Sequence, residues 1–430
     1  MLQESESESE SHAGLRILLV TNLFPPLSYG GYEDLAAGAV RHWRERGHHV
    51  RVLCSDHRVG EVDAADPTIA RTLPMRWSPA ALPPVGLTDR FRDARRSMQV
   101  WADELATFRP DVVSLWNVAA LSLGPLETVD RAGLPCVAVL GNTWMSFAPG
   151  LDPFLRPFEG RAAPVAGMVR RLTGLPTSTP VVRDLTACFA SEYLRQDHRM
   201  NGRIRARRTV VVPHGVATEQ FAVEGDGDRS WHGRAIYVGR LSPEKGVATA
   251  IDAVAMLRRE GIVDRFTIIG DGPVDHVRSL RERADEHGIG DRVHFAGPKD
   301  PPAVAAALGD ADVLLFPPLW EEPFGIVPLE AMAAGVPVVS SATGGGAEMI
   351  EDESNGLIFQ RADPESLAAA VRRLATDPLL RQRLRENGRR TAAWLDRTST
   401  YDDLLTWHRH VVDPSIPPPA PRPPLPPELR

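Results

Sequence analysis

A chain of 430 residues is longer than one ordinary domain and long enough for two of about 200 residues each. With 43% hydrophobic and 24% charged residues, each half can bury a proper core, which excludes a disordered or fibrous protein. A formal charge of -7, with no basic stretch interleaved with aromatics, excludes nucleic acid as a partner.

Residues 1–13 alternate Glu and Ser and read as a disordered acidic tail, the opposite of a secretory signal. No later run reaches about 18 apolar residues, so the expected compartment is the cytoplasm. Arg16 to Phe24 is then an apolar run of buried-strand type, broken by Pro25, Pro26, Gly30 and Gly31 before a helical pattern from Tyr32 to Arg46. His49 to Cys54, Asp111 to Trp116 and Pro135 to Leu140 continue as strands, with a helix over Asp89 to Phe108. Strands separated by helices imply a parallel sheet covered on both faces.

Phe147 to Pro180 has no clear period and is longer than a compact connection needs, so extra helices or an acceptor lid belong there. Leu185 to Ala190, Ser191 to Gln196 and Thr209 to Pro213 restore the alternation as strand, helix and strand. Glu224 to Gly233 is polar and Gly-rich, as a linker is. Strands near Ala235–Val238, Phe266–Ile269, Val293–Phe295, Val313–Phe316 and Val336–Ser340 form a second doubly wound unit. Tyr401, Leu404, Leu405 and Trp407 make one apolar helical stripe, and proline dominates beyond Pro414. The expected segments are a tail at 1–13, a Rossmann-like domain at 14–213, a linker at 214–233 and a second Rossmann-like domain at 234–395. A helix at 396–412 packs on the first domain, and a disordered proline-rich tail occupies 413–430.

The three cysteines, Cys54, Cys136 and Cys188, each sit in an apolar run, and an odd count at wide spacing fits neither a disulfide framework nor a zinc site. Only two of the 49 basic residues are lysines, Lys245 and Lys299. A lysine therefore stands out here.

Arg240 lies just past a strand end and Lys245 at a helix opening, so both cations point into the crevice where α/β sheets bind ligands. A guanidinium can bridge two phosphate oxygens and an ammonium adds a point charge, a pair suited to a pyrophosphate that carries no metal. The bland alternative is two solvated charges around a proline turn. Glu322 precedes a helix whose first turn takes Pro328 and whose stop is Gly335, with Glu330 in the first turn. The two carboxylates bracket free helix amides, and each can take two hydroxyls of a ribose or a sugar. Glu330 alone would also serve as a helix-dipole partner. Gly30-Gly31 lets backbone amides approach a phosphate but is not a dinucleotide fingerprint, and Gly344-Gly345-Gly346 reads equally as a plain turn.

Gly239-Arg240 through Lys245-Gly246, Gly270-Asp271-Gly272-Pro273, Phe295-Ala296-Gly297, Glu322-Pro323-Phe324-Gly325 through Glu330-Ala331-Met332, and Gly344-Gly345 with Glu348 occur in that order over residues 235 to 360. Together they resemble the family 4 glycosyltransferases, retaining enzymes of the GT-B fold. The resemblance implies an α/β protein of two Rossmann-like doubly wound domains facing a cleft, the first binding acceptor and the second donor. It implies a nucleoside-diphosphate sugar, UDP- or GDP-linked, as donor substrate, a small-molecule, glycan or lipid acceptor, and neither a cofactor nor a metal. By the same resemblance Arg240 and Lys245 grip the donor diphosphate, Glu330 the ribose and Glu322 the transferred sugar. Backbone amides of Phe324, Gly325, Ile326 and Val327 add donor contacts, the strip after Gly297 lies beside the base, and Gly30 and Gly31 approach the distal phosphate. Many members of the family carry a histidine after the strand matching Pro135 to Leu140. Here Gly141-Asn142-Thr143-Trp144 stands instead, so either Asn142 supplies a hydrogen bond in its place or the sugar is held differently.

Two other readings share the donor site: a nucleotide-sugar epimerase and a catalytically idle nucleotide-sugar-binding module. The absent dinucleotide fingerprint argues against a dehydrogenase. His214 at the domain junction reads as a hinge or structural histidine. Arg41, Arg44 and Arg46 beside Trp43, with Arg90, Arg92, Arg95 and Arg96, would suit an anionic membrane if the acceptor is a lipid, but solvated helix faces are the better account.

Overall fold

The computed structural model describes residues 14–28, 30–58, 66–76, 84–221, 230–422 and 426. The acidic tail, residues 222–229 of the expected linker and part of the proline-rich tail lie outside the described residues.

In chain order the first unit carries strands β1 (Arg16–Val20), β2 (His49–Ser55), β3 (Ile69–Leu73), β4 (Val112–Leu115), β5 (Cys136–Leu140), β6 (Leu185–Phe189) and β7 (Arg208–Val211). Between them run helices α1 (Gly31–Glu45), α2 (Leu87–Phe108), α3 (Leu126–Arg131), α4 (Trp144–Leu151), α5 (Ala166–Thr173) and α6 (Glu192–Asn201). After α7 (Thr218–Phe221) come β8 (Arg234–Val238), α8 (Val247–Arg259), β9 (Arg265–Ile269), α9 (Val274–Glu286), β10 (Val293–Gly297), α10 (Pro301–Gly309), β11 (Val313–Phe316), α11 (Ile326–Ala333), β12 (Val338–Ser340) and β13 (Leu357–Ile358). Helices α12 (Pro364–Thr376), α13 (Pro378–Trp394) and α14 (Arg397–Val412) close the order.

The first sheet has the order β3-β2-β1-β4-β5-β6-β7 and the second β10-β9-β8-β11-β12-β13. β1 pairs in parallel with β2 and β4, and β8 with β9 and β11. Both sheets therefore reverse direction of winding beside their first strand, which opens a ligand crevice at the strand C-termini. β1, β4, β5 and β11 are apolar almost throughout because helices cover both faces of such sheets. Edge strands β3 and β13 lack that signature, one being half-exposed and the other two residues long, and the apolar pattern does not reveal them.

Helix starts in the second unit have a local cause. Asp300, Asp363 and Asp377 each cap a helix through the side-chain carboxylate, and each is followed by a proline in the first turn. The carboxylate satisfies orphan amides and the proline sits where no amide is needed. The core of this unit is contiguous from Tyr237 and Val254 through Phe266 and Leu315 to Leu367 and Leu384.

The compact units do not follow one cut in the sequence. One comprises the described residues up to Phe189, with Asp197–Val210 and Tyr401–Pro419, and the other comprises Ala190–Gln196, Val211–Thr400 and Ala420 onward. Residues 214–221, placed in a linker from sequence, are packed: His214, Val216 and Phe221 are buried and Val216 bridges Asp396. Their apolar side chains have a core to enter, so the polar composition of the following stretch does not extend back to them. The irregular region expected at Phe147 to Pro180 holds α4 and α5 with short 3-10 turns between.

In the first unit the apolar stripe of α14 meets α1. Trp43, fully buried, donates its indole N–H to the Tyr401 carbonyl at 3.0 Å, and its ring lies 4.9 Å from that of His408. His42 and Arg46 hold Asp402 at 2.7 and 3.1 Å. Trp43, Arg44 and Arg46 are thus engaged with protein, Arg44 through Val50 O at 2.9 Å and Asp66 at 3.2 Å, while Arg41 is exposed. The three cysteines are buried free thiols, and burial pushes Cys54 up to about 11. No described helix is long and apolar enough to cross a membrane.

Candidate functional site

The loops after β8, β9, β10 and β11 converge at the C-terminal edge of the second sheet and are tied to one another by main-chain hydrogen bonds. Gly239 N donates to Ile269 O at 3.0 Å, Leu241 N to Asp271 O at 2.8 Å, Gly270 N to Gly297 O at 3.0 Å, and Leu319 N to Glu244 O at 2.8 Å. Gly270 has φ +135°, and a Cβ there would lie 1.9 Å from the Gly239 carbonyl oxygen; at Gly246, with φ +69°, it would lie 1.9 Å from that of Pro317. Only glycine lets these strands of chain approach so closely. The glycines around the charged residues thus act first as packing elements.

On this platform Lys245 and Glu322 meet. Lys245 Nζ donates to Glu322 Oε2 at 2.7 Å, with side-chain exposures of 13% and 10%. The same oxygen accepts the Trp320 indole N–H at 2.9 Å, and the ammonium stands 4.9 Å from the centre of that ring. Trp320 has no counterpart among the sequence-derived site residues. Its signal was faint: one aromatic two residues before the carboxylate. Arg240, by contrast, is exposed and makes no hydrogen bond or salt bridge to a described residue through its side chain, while its carbonyl accepts from the buried Tyr237 hydroxyl at 2.8 Å. Burial pushes the Tyr237 phenol up, and Glu322 adds to the shift, so it remains a neutral donor. One cation is therefore pre-paired and the other open.

Helix α11 starts at Ile326, two residues before the proline that marked its opening in the sequence, so Pro328 is its third residue and Glu330 lies beyond the first turn. Gly325 caps it with φ +88°. Ile326 and Val327 contribute first-turn amides without intrahelical partners, and Pro328 has none to give. Phe324 is buried with its ring 5.5 Å from that of His214. Burial, with Arg397 nearby, brings His214 down to about 3, which makes it a neutral packing residue rather than a proton carrier.

Further contacts fix the Glu322 segment. Ser191 donates its hydroxyl to Pro323 O at 2.6 Å, Gly345 N donates to Glu322 O at 2.7 Å, and the Thr343 hydroxyl donates to Trp320 O at 2.6 Å. A Cβ at Gly345 would fall 2.0 Å from Pro323 O, so that glycine is required by packing. The Glu348 carboxylate accepts the amides of Glu192 and Tyr193 at 2.9 and 2.7 Å, at the start of α6.

Arg240, Lys245, Gly297, Glu322, Phe324, Gly325, Ile326, Val327 and Glu330 all lie in the second unit, where Lys245 and Glu322 pair, whereas Gly30, Gly31 and Asn142 belong to the first. Gly30 caps α1 in an extended conformation, and a Cβ there would meet nothing within 4 Å. Among the described residues, neither backbone nor packing requires glycine at that position. Asn142 Oδ1 accepts the amide of Trp144 at 2.9 Å, starting α4, so its oxygen has a structural task, while its amide nitrogen donates to no described residue. Among the described residues there is no group of His, Cys, Asp and Glu arranged to hold a metal ion.

Residues 232–391 match the family described as glycosyl transferases group 1, and this stretch is a domain of that family. A glycogen synthase of Mycobacterium tuberculosis is 35% identical over 192 residues, 45% of this chain and 44% of the relative. The match thus spans under half the length of that relative. Among solved structures, the sucrose-phosphate synthase of Thermosynechococcus elongatus aligns over 92% of this chain and 98% of its own, with a TM-score of 0.68 and 19% identity. HepE of Anabaena, solved with UDP and glucose, aligns over 91% and 98% with a TM-score of 0.63 and 18% identity. At such identities these two establish the GT-B fold: two parallel sheets, each layered with helices.

Proposed function

We propose that the chain is a retaining glycosyltransferase that moves a sugar from a UDP- or GDP-linked donor to a small-molecule, glycan or lipid acceptor without an essential metal. The observation that carries the reading is the open Arg240 beside the pre-paired Lys245 at the winding reversal of the second sheet. The glycosyl transferases group 1 match over the same residues supports it. A metal-free diphosphate needs fixed cations, and two of different kinds stand there.

In this reading Arg240 and Lys245 hold the diphosphate, Glu322 meets hydroxyls of the transferred sugar, and Glu330 meets the ribose. Amides of Phe324 to Val327 complete the donor contacts, the base lies beside Gly297, and Gly30 and Gly31 approach the distal phosphate. The bond from the anomeric carbon to the diphosphate breaks, that carbon bonds to the acceptor oxygen on the same face, and the acceptor proton leaves with the diphosphate. Negative charge grows on the departing oxygen, where preorganised cations lower the barrier most. Glu322 then has two duties: it holds Lys245 in place and offers its remaining oxygen to the sugar. The Asn142 amide takes the position where the family often has histidine. A panel of UDP- and GDP-sugars, followed by proton NMR for donor hydrolysis and for the anomeric configuration of any product, tests the proposal. Release of nucleoside diphosphate with retained configuration is expected; a new epimer of the donor, or no turnover of any donor, sinks it.

A further inference from the structure

The first unit contains a cavity of about 520 Å³ lined by Arg76, Arg90, Arg156 and Arg161, with Val85 and Leu151 among its apolar walls. That volume is ordinary for a small-molecule site, generally several hundred cubic ångströms. Its charge balance is one-sided. Arg76 is held by Asp93 at 2.7 and 3.3 Å. Among the described residues, the Arg90 guanidinium is engaged through Nε alone, donated to Val85 O at 2.9 Å. Arg156 and Arg161 are exposed and make no side-chain hydrogen bond or salt bridge to a described residue. The nearby acid that could neutralise them, Glu159, is paired with Arg203.

The turn that leads to Arg156 is also held in place from beneath. Asp152, fully buried, accepts the amides of Leu123, Phe154 and Leu155 at 2.8, 2.8 and 3.0 Å. Its carbonyl accepts the amide of Arg156 at 3.1 Å. This knot fixes the turn between α4 and the segment that carries Arg156 and Arg161. An isolated surface arginine is normally solvated, but four around one partly apolar cavity, two of them without a partner among the described residues, suit a concentrated negative charge on an organic body. Guanidinium forks match phosphate oxygens in pairs.

We infer that this cavity binds a molecule bearing a phosphomonoester, with Arg156 and Arg161 on the phosphate and the Val85 and Leu151 side on its organic part. The inference stands independently of sugar transfer, because it concerns binding to the first unit alone. The phosphate could belong to a free metabolite or to a lipid headgroup, and the two are separable with the full chain. Calorimetry with inorganic phosphate and glycerol 3-phosphate, against glucose as the neutral control, is paired with co-sedimentation on vesicles containing phosphatidic acid.

Saturable binding of the soluble phosphates and none of glucose is expected, weakened at least tenfold in Arg156→Gln/Arg161→Gln and largely retained in Arg156→Lys/Arg161→Lys. The same loss seen only with vesicles would support the lipid source. An unchanged unfolding midpoint in the variants separates lost binding from lost structure. No binding of any phosphate, or binding that survives the double Gln change yet falls in Arg240→Ala, overturns the inference.

Discussion

Lys245 Nζ lies 2.7 Å from Glu322 Oε2, and both side chains are nearly withdrawn from water. Removing one partner of such a pair leaves the other charge desolvated, at a cost of about 3 kcal/mol or more. Lys245→Ala is therefore expected to lower stability by that order as well as to weaken donor binding, and urea unfolding beside nucleotide titration measures both. An unfolding free energy unchanged from the parent would show that the pair is relaxed in solution.

Arg240→Ala separates the two effects. The guanidinium is exposed and pairs with no described residue, so its loss should move stability by no more than about 0.5 kcal/mol. A charge-assisted bond to phosphate contributes about 1.5–3 kcal/mol, so affinity for a nucleoside diphosphate should fall roughly 10- to 150-fold. Equal affinities in calorimetry would remove Arg240 from the diphosphate.

Glu330→Ala, on the second turn of α11 and half-buried, should leave folding near that of the parent. Nucleoside diphosphate should bind about tenfold more weakly if the carboxylate takes the ribose hydroxyls. The control is the 2′,3′-dideoxy nucleotide, whose affinity should not change between parent and variant. A loss that is equal for both nucleotides would assign Glu330 to the helix instead.

Gly270→Ala tests the loop platform. A methyl group at φ +135° and 1.9 Å from the Gly239 oxygen forces the β8 and β9 loops apart. The expected cost is about 3 kcal/mol or more, read as a lower unfolding midpoint, with donor binding lost alongside because Arg240 rides on the displaced loop. A parent-like midpoint would mean that the loops part easily.

His214 gives a pH signature. The unfolded chain takes up a proton at this imidazole below about pH 6.5, whereas the buried ring resists until about 3. Protons therefore favour the unfolded chain: the contribution is complete above pH 6.5 and lost as pH falls toward 3. Between pH 7 and pH 5 it should remove about 2 kcal/mol, and His214→Gln should flatten that part of the profile. Parallel stability profiles for parent and variant would place the proton elsewhere.

Much of the fold was legible because parallel strands buried on both faces are apolar throughout, as in β1, β5 and β11. What escaped was decided by tertiary packing. Residues 214–221 look like the beginning of a polar linker until a core is there to receive Val216 and Phe221. Within the site, the charged residues were readable from their positions after strands, yet their mutual relation was not. Lys245 and Glu322 are 77 residues apart in sequence, and only the folded loops show that they meet. The task of Gly345 was hidden similarly, because it answers to the Pro323 carbonyl 22 residues earlier in the chain, whereas Asn142 takes an amide only two residues on.

The return of Tyr401–Val412 to the first unit sets an order of assembly. Trp43 emerges early in synthesis, but the carbonyl that takes its indole proton is made more than 350 residues later. The unit begun first is consequently finished last, after the ribosome has completed the second sheet, and until then one face of α1 stands bare. Chaperone capture during translation should fall on that face, and loss of the last helix would injure the unit at the opposite end of the chain.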